Sequence, residues 1–373
     1  MVTQFNFPTP IRFGAEAINE LPDHLSGKFH RPLLVTDRNI VKLSFITQIQ
    51  KNLKESGFSV DTFSDMGGNP VESDVVNGLE AYRKHKADCL VLIGGGATLD
   101  VGKAIALLVN NPGSLFDYED GNPVLPLKHE LPFMVAIPTT SGTGSEVGRS
   151  SVISENDSKA KKIIFAPQML PDLVIADPAL TVDLPPAMTA ATGVDALTHL
   201  LEAYLAKGYH PMCDGIALEG IRLVHQSLEK AFKEPQNIEA RRDMLAASMM
   251  GAVAFQKGLG VNHSCAHALS TVFDTHHGLA NALMLPACMK FNNEAVPERF
   301  EVIAQVIGQK NGEDVIQWLR DLNKSLGIPD GLGKVGIEVN DRLLDVAVAD
   351  ICHPSNPREV TRDDFKQLFT DSL

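Results

Sequence analysis

Leu90-Val91-Leu92-Ile93-Gly94-Gly95-Gly96-Ala97-Thr98-Leu99-Asp100 is the stretch on which the fold turns. Four apolar residues cut off by three glycines and followed by a helical pattern read as a buried strand, a tight turn and a helix. Residues without side chains let backbone N–H groups approach a phosphate, and a helix N-terminus adds partial positive charge there. The triplet is not GxGxxG, and an ordinary turn has the same appearance. Upstream, Pro32–Thr36 and Ser59–Phe63 are strand-like, and Ile40–Ser56 and Val71–His85 are amphipathic. Downstream come the helical Leu99–Val109, the strand Phe133–Pro138 and a last strand, Leu173–Ala176. Strands alternating with helices predict βαβ units and a parallel sheet. The polar Asn110–Pro132 reads as a long irregular connection, a kind of segment that often carries function.

A second loop, Pro138-Thr139-Thr140-Ser141-Gly142-Thr143-Gly144-Ser145-Glu146, also follows an apolar strand and clusters hydroxyls with glycines. Two such loops at the carboxyl ends of strands in one sheet are what a nucleotide crevice requires. Asp37 ends the strand Leu33-Leu34-Val35-Thr36 where an acid could hold a ribose diol, although a plain strand-end Asp looks the same. If it does hold the diol, it repels a 2′-phosphate and favours NAD over NADP.

From Pro185-Pro186 onward the texture changes to Ala, Leu and helical spacing. The expectation is an α/β dinucleotide-binding domain over 1–180 and an all-helical metal-binding domain over 181–373. Helices are predicted at Ala187–Ala206, Asp214–Phe232, Glu239–Phe255, Ser264–Phe273, Gly278–Phe291, Arg299–Ile307, Gly312–Leu326 and Asn340–Asp350. A last helix starts at Thr361 with Asp364 in near capping-box style.

Within the second part, Asp195 and His199 are four apart on a helical stretch, so a carboxylate and an imidazole leave one face. Then His263, His267, His276 and His277 place four of the twelve histidines within a short span. One histidine alone is more often structural. For the set, divalent-metal binding by a carboxylate and imidazoles is the economical reading.

Composition removes other classes. The net charge is −13 with 44% hydrophobic and 21% charged residues, and no basic block offers a footprint for nucleic acid or an anionic membrane. No secretory leader and no membrane-length apolar run are recognised. The five cysteines, odd in number and without CxxC, fit a reducing cytoplasm better than a disulfide framework.

These residues, in this order, resemble the iron-containing (group III) alcohol dehydrogenase family, whose architecture is shared with dehydroquinate synthase. The resemblance is carried by Phe7–Gly14, Gly94-Gly95-Gly96 with Asp100, Thr139–Val147, Ala191–His199, His263-x-x-x-His267, His277-Gly278-x-x-Asn281-Ala282 and Asn356-Pro357-Arg358. It implies an active site in a cleft between the two domains. Asp195, His199, His263 and His277 match the metal ligands, His267 a histidine beside the nicotinamide, Asp37 the ribose acid and Lys162 a lysine on the cofactor. Gly94, Gly95, Gly96, Asp100, Thr139, Thr140 and Thr143 fall in the cofactor loops. A homodimer is implied as well.

The implied reaction is hydride transfer between a small primary alcohol, or the corresponding aldehyde, and NAD, with NADP as the second choice. Three imidazoles and a carboxylate accept Fe(II), Zn, Ni, Co or Mn, and the family favours Fe(II). Two readings on the same scaffold compete: a dehydroquinate-synthase-like lyase that uses NAD transiently, and a non-catalytic dinucleotide sensor. The chain departs from the family pattern at Ala97, at Gly148-Arg149-Ser150 and at Phe255-Gln256-Lys257-Gly258. The last two border the substrate pocket in relatives, so Arg149, Ser150 and Lys257 are candidate substrate residues, and the two cations Arg149 and Lys257 could hold an anionic tail on the substrate.

Overall fold

The computed structural model describes residues 4–6, 9–111, 113–122, 127, 129–157 and 161–373, so the start of the Phe7–Gly14 motif lies outside the described residues. The chain divides into two compact units. One is residues Phe7–Thr140 with Gly144–Val182, and the other is Asp183–Leu373 with Ser141–Thr143 and the N-terminal residues up to Asn6.

In the first unit the strands are β1 (Ile11–Phe13), β2 (Pro32–Val35), β3 (Asp61–Phe63), β4 (Cys89–Gly94), β5 (Phe133–Pro138), β6 (Ser150–Ser154), β7 (Lys161–Phe165) and β8 (Leu173–Ala176). Its helices are α1 (Leu21–Leu25), α2 (Ser44–Glu55), α3 (Glu72–His85) and α4 (Gly96–Asn110). Six strands form one parallel sheet in the order β1-β8-β5-β4-β2-β3. The alternation of side chains decides why both faces are covered. Leu33, Val35, Leu90 and Leu92 join the core under α3 and α4, while Leu34, Val91 and Ile93 join the one under α1 and α2.

The chain steps from β2 out to β3, then returns past β2 to β4 and on to β5. The order reverses between β2 and β4, which is where ligands bind in doubly wound sheets. Asp37 follows β2 there, and the glycine triplet ends β4 and opens α4.

β1 and the antiparallel pair β6–β7 are absent from the sequence reading. Ser150–Ser154 is half polar, and β1 is short and exposed on one side, so neither shows the apolar run that marks the central strands.

The second unit is helical: α5 (Pro186–Leu205), α6 (Pro211–Lys233), α7 (Ile238–Ala254), α8 (Val261–Phe273), α9 (His277–Asn293), α10 (Pro297–Ile307), α11 (Gly312–Ser325), α12 (Asp341–Ala349) and α13 (Arg362–Asp371). α13 begins with the Thr361/Asp364 capping box. α5 is the axis of this unit, buried without interruption from Thr189 to Leu205, and one continuous core joins it to the helices around it. No single helix among the described residues is long and apolar enough to cross a membrane. All five cysteines are free and buried.

Candidate active site

α5 carries Asp195, His199 and Glu202 at positions i, i+4 and i+7, one stripe of the helix, and all three are buried. α8 supplies His263 one turn before His267, and α9 begins with His277. Gly278 lets α9 start against α5, because a Cβ there would lie 2.4 Å from the Ala191 carbonyl oxygen. The HG pair in the sequence is therefore a packing requirement that delivers His277 to Asp195. His277 Nε2 is 3.3 Å and His263 Nε2 3.9 Å from Asp195 Oδ1. The ligand atoms of Asp195, His263 and His277 all lie within 4.8 Å of one another. His199 stands beside them, its ring stacked on that of His263 at 4.5 Å between centroids.

The donor set fits a cation. The Asn281 amide nitrogen lies 2.6 Å from Asp195 Oδ1, 3.2 Å from His277 Nε2 and 3.4 Å from His263 Nε2. One amide has two protons for three converging acceptors, and the buried His199 Nδ1 has no hydrogen-bond partner among the described residues. Buried acceptors in excess of donors are costly unless a positive charge satisfies them.

Electrostatics agree. Burial pushes the His263 imidazole, and that of His199, below the ordinary value. Burial opposes ionisation of Asp195, but its interactions with His199, His277 and His263, among them a hydrogen bond with His277, outweigh it and hold its carboxyl well below the usual range. Neutral imidazoles beside an ionised carboxylate are the ligand state for a divalent metal.

His267 points its Nδ1 at Asp350 Oδ2, 2.8 Å away, and its side chain is one-third exposed. Ser264 Oγ and the Cys352 N–H donate to Asp350 Oδ1. Burial raises the Asp350 carboxyl, but the hydrogen bond from His267, with those from Ser264 and Cys352, more than reverses it. Cys352 joins His267 and Asp350 in a second cluster, but burial keeps its thiol protonated, which disfavours metal there.

In the first unit, Gly94 ends β4 level with Pro138 of β5, and the Thr139 N–H donates to the Gly94 carbonyl. The two loops thus leave the sheet together. A Cβ on Gly94 would lie 2.5 Å from Thr98 Oγ1, so Gly94 is a steric requirement, while one on Gly95 would meet Thr140 Cγ2 at a tight 3.1 Å. Thr139 is buried, whereas Thr140 and Thr143 are half-buried. Asp37 Oδ1 accepts from the Asn39 and Ile40 N–H groups, and Oδ2 has no hydrogen-bond partner among the described residues.

Three candidates already have partners inside the protein. Asp100 is spent inside the protein: Oδ1 accepts from Ser145 Oγ and pairs with the Lys103 ammonium, and Oδ2 accepts from the Val152 N–H. It anchors the second loop and β6. Lys257 is no free cation, because its ammonium pairs with Asp214 Oδ1 at 2.5 Å and donates to the Tyr204 carbonyl, with the side chain only 2% exposed. It satisfies an end carbonyl of α5, a task shared by Arg299. Lys162 lies 3.1 Å from Glu119 and 3.8 Å from Glu155, so two carboxylates already claim its charge. Ser150 gives its carbonyl to Lys103 as β6 begins. No hydrogen bond or ion pair of the Arg149 side chain occurs among the described residues.

Sequence reading gave no role to Lys103, Glu146, Glu202, Asn262, Asn281 or Asp350, although Glu146 and Asn281 stand in motifs it quoted. The signal for Glu202 was present as the third member of the α5 stripe. Asp350 lies far from its histidine in sequence, and nothing in the chain pointed to it.

Comparison with known proteins agrees with this geometry. Residues 8–178 match the iron-containing alcohol dehydrogenase domain, and 189–373 match the C-terminal domain of the Fe-containing alcohol dehydrogenase family. The chain belongs to the iron-containing alcohol dehydrogenase family. It is 36% identical over 356 residues to 4-hydroxybutyrate dehydrogenase of Cupriavidus necator, covering 92% of each. It is 35% identical to the NAD-dependent methanol dehydrogenase of Bacillus methanolicus over the full length of both. A crystal structure of 1,3-propanediol oxidoreductase superposes with a TM-score of 0.95 at 33% identity, covering 100% of each chain. This alcohol dehydrogenase is thus an NAD(P)-linked oxidoreductase acting on CH–OH, and it has the metal site typical of its family.

Proposed function

We propose that this dehydrogenase holds Fe(II) through Asp195, His199, His263 and His277, and that it uses NAD in preference to NADP on a small primary alcohol or its aldehyde. The observation that carries the metal assignment is the convergence of three ligand atoms beside a fourth imidazole whose Nδ1 has no hydrogen-bond partner among the described residues. When bound, the metal acts as a Lewis acid on the substrate oxygen and the nicotinamide carries the hydride. Asp195 contributes the negative charge, and the buried imidazoles stay neutral. His267 moves the proton. Its Nδ1 is held by Asp350, which leaves Nε2 to exchange a proton between the substrate and water. In the other unit, the backbone of Gly94–Gly96 and the hydroxyls of Thr139, Thr140 and Thr143 supply donors for the cofactor, and Asp37 Oδ2 is disposed for a ribose diol.

For the substrate we propose an ω-hydroxy acid or similar anion. Arg149 supports this, since its guanidinium meets no carboxylate among the described residues and can grip an anion by paired hydrogen bonds. The 4-hydroxybutyrate dehydrogenase relative supports it too. Lys257 has no part. A cytoplasmic homodimer is the expected assembly. The test is anaerobic: with Fe(II) restored, His263→Ala and His277→Ala should lose both metal and NADH production while keeping their circular dichroism. Near-wild-type metal content in both would sink the ligand assignment. Preference for a hydroxy acid over the plain alcohol of equal length should collapse in Arg149→Ala.

A further inference from the structure

α8 starts without a cap of its own. Its N-cap is Gly260, which has no side chain to receive the first N–H groups, and the helix still begins in the protein interior. The missing acceptors arrive from elsewhere in the unit. Asn356 Oδ1 accepts from the Val261 N–H at 3.2 Å, Glu202 Oε1 from the Asn262 N–H at 2.6 Å and Glu202 Oε2 from the His263 N–H at 3.4 Å. A Cβ on Gly260 would lie 2.8 Å from Asn356 Oδ1 and 2.9 Å from Glu202 Oε1, so glycine is what admits both. Glu202 makes one bond more: its Oε2 is 2.6 Å from His263 Nδ1.

The geometry points to Glu202 as a positioning residue of the metal site, one that fixes the His263 imidazole with its proton on Nδ1 so that Nε2 presents a lone pair toward Asp195 and His277. This rests on the reading of His263 as a ligand. The argument is one of donors and acceptors. Glu202 receives backbone N–H groups on both oxygens, and as a carboxylate it can only accept, so its 2.6 Å contact with His263 Nδ1 then has the ring as donor. Burial pushes the Glu202 carboxyl up to about 8, and the tautomer of His263 distinguishes this arrangement from a protonated Glu202 donating to Nδ1. A neutral imidazole carries one proton, and placing it on Nδ1 leaves Nε2 bare. Nε2 then accepts from the Asn281 amide in the metal-free protein, and Asn262 holds that amide in turn, its Nδ2 donating to Asn281 Oδ1 at 2.8 Å. A helix cap and a ligand orienter are therefore the same carboxylate. Any change to Glu202 is felt at the start of α8 and at the ring one turn in.

Glu202→Gln is close to isosteric and separates the two roles. Its single carbonyl oxygen can serve the Asn262 N–H, which turns the amide NH2 toward His263 Nδ1 and drives the ring proton to Nε2. Outer partners of this kind typically carry about 10–100-fold in metal affinity. With Co(II) alone as the probe, the variant should bind about 10–100-fold more weakly by titration of its d–d absorption. Its metal-free melting temperature should stay within a few degrees of wild type. Independently of any variant, 15N NMR of histidine-labelled, metal-free wild type should report His263 as the Nδ1–H tautomer. An Nε2–H tautomer in wild type, or wild-type Co(II) affinity in Glu202→Gln, overturns the inference. If Glu202→Gln is too unstable to assay, the wild-type tautomer decides alone. His263→Ala distinguishes the failures: metal retained there defeats the ligand assignment, whereas metal lost there but kept in Glu202→Gln defeats only the role of Glu202.

Discussion

Lys103→Met should destabilise the α/β unit more than most core truncations and loosen the cofactor loop with it. The Lys103 ammonium is fully buried, 3.1 Å from the Ser145 carbonyl, 2.7 Å from Ser145 Oγ, 2.5 Å from the Ser150 carbonyl and 3.2 Å from Asp100 Oδ1. Methionine keeps the length of the chain and removes the charge and every donor. Two carbonyls lose this donor at about 1–3 kcal/mol each, and deleting one member of a buried ion pair costs about 3–5 kcal/mol in all. These counts overlap, so about 3–5 kcal/mol is the expected loss. In a unit of this size each kcal/mol moves the midpoint by about 2–4 °C, giving a fall of roughly 6–20 °C by calorimetry. The same contacts hold Ser145 in the second loop and Ser150 at the start of β6, so NADH should bind more weakly by fluorescence titration. A midpoint within 2 °C of wild type together with unchanged NADH affinity would refute this account of the buried lysine.

Other substitutions probe the remaining roles. His267→Ala should retain metal, lower kcat by about 10²-fold and flatten the pH–rate profile, and it is wrong about the proton path if kcat is unaffected. Asp37→Gly should shift the ratio of kcat/KM for NAD and NADP toward NADP; an unchanged ratio would remove Asp37 from the ribose site. Glu146 is buried, which pushes its carboxyl from 4.5 to about 7. A raised folded value means that the native state binds the proton more tightly, so its contribution is present below about 4.5 and is lost as pH rises through about 7. Glu146→Gln should therefore gain stability relative to wild type across that window in chemical denaturation at several pH values, and a constant difference would contradict the shift.

Much of this was legible because the informative features are local. A buried strand stopping at Gly94-Gly95-Gly96 is one continuous segment, and Asp195 and His199 share a helix, so spacing alone puts them on one face. The helices of the second unit follow from periodicity, and their ends fall within a few residues of the expected positions. What escaped is non-local. Lys257 reads as a surface cation until Asp214 is found against it, 43 residues away in sequence. Asp100 reads as part of a cofactor motif until Ser145, Lys103 and Val152 are seen to consume its oxygens. Asp350 is invisible without the fold that brings it to His267 from 83 residues away. In each case the deciding quantity is which polar partner fills a buried valence, and a pattern of residue types does not encode that.

The two units also answer one structural problem in opposite ways. α4 and α8 both begin after a glycine N-cap, Gly95 and Gly260, and neither has a side-chain cap from its own first turn. Such a start exposes several N–H groups and the positive end of the helix dipole, and something negative must meet them. At α8 the protein supplies it internally: Glu202 and Asn356 take the N–H groups, and the surplus valence of Glu202 is turned on a metal ligand. At α4 the first turn holds no acidic residue, and the one carboxylate a turn further on, Asp100, is bound to Ser145, Lys103 and Val152. A helix start kept free of internal acid, at the point where the strand order reverses, suits an anion from outside, and the pyrophosphate of NAD is the anion we propose for it. An acid placed at the α4 start should therefore exclude the cofactor: Ala97→Asp is expected to abolish NADH binding in fluorescence titration while leaving Co(II) affinity at the other unit unchanged. Binding of NADH with wild-type affinity in Ala97→Asp would mean that the pyrophosphate does not sit on α4.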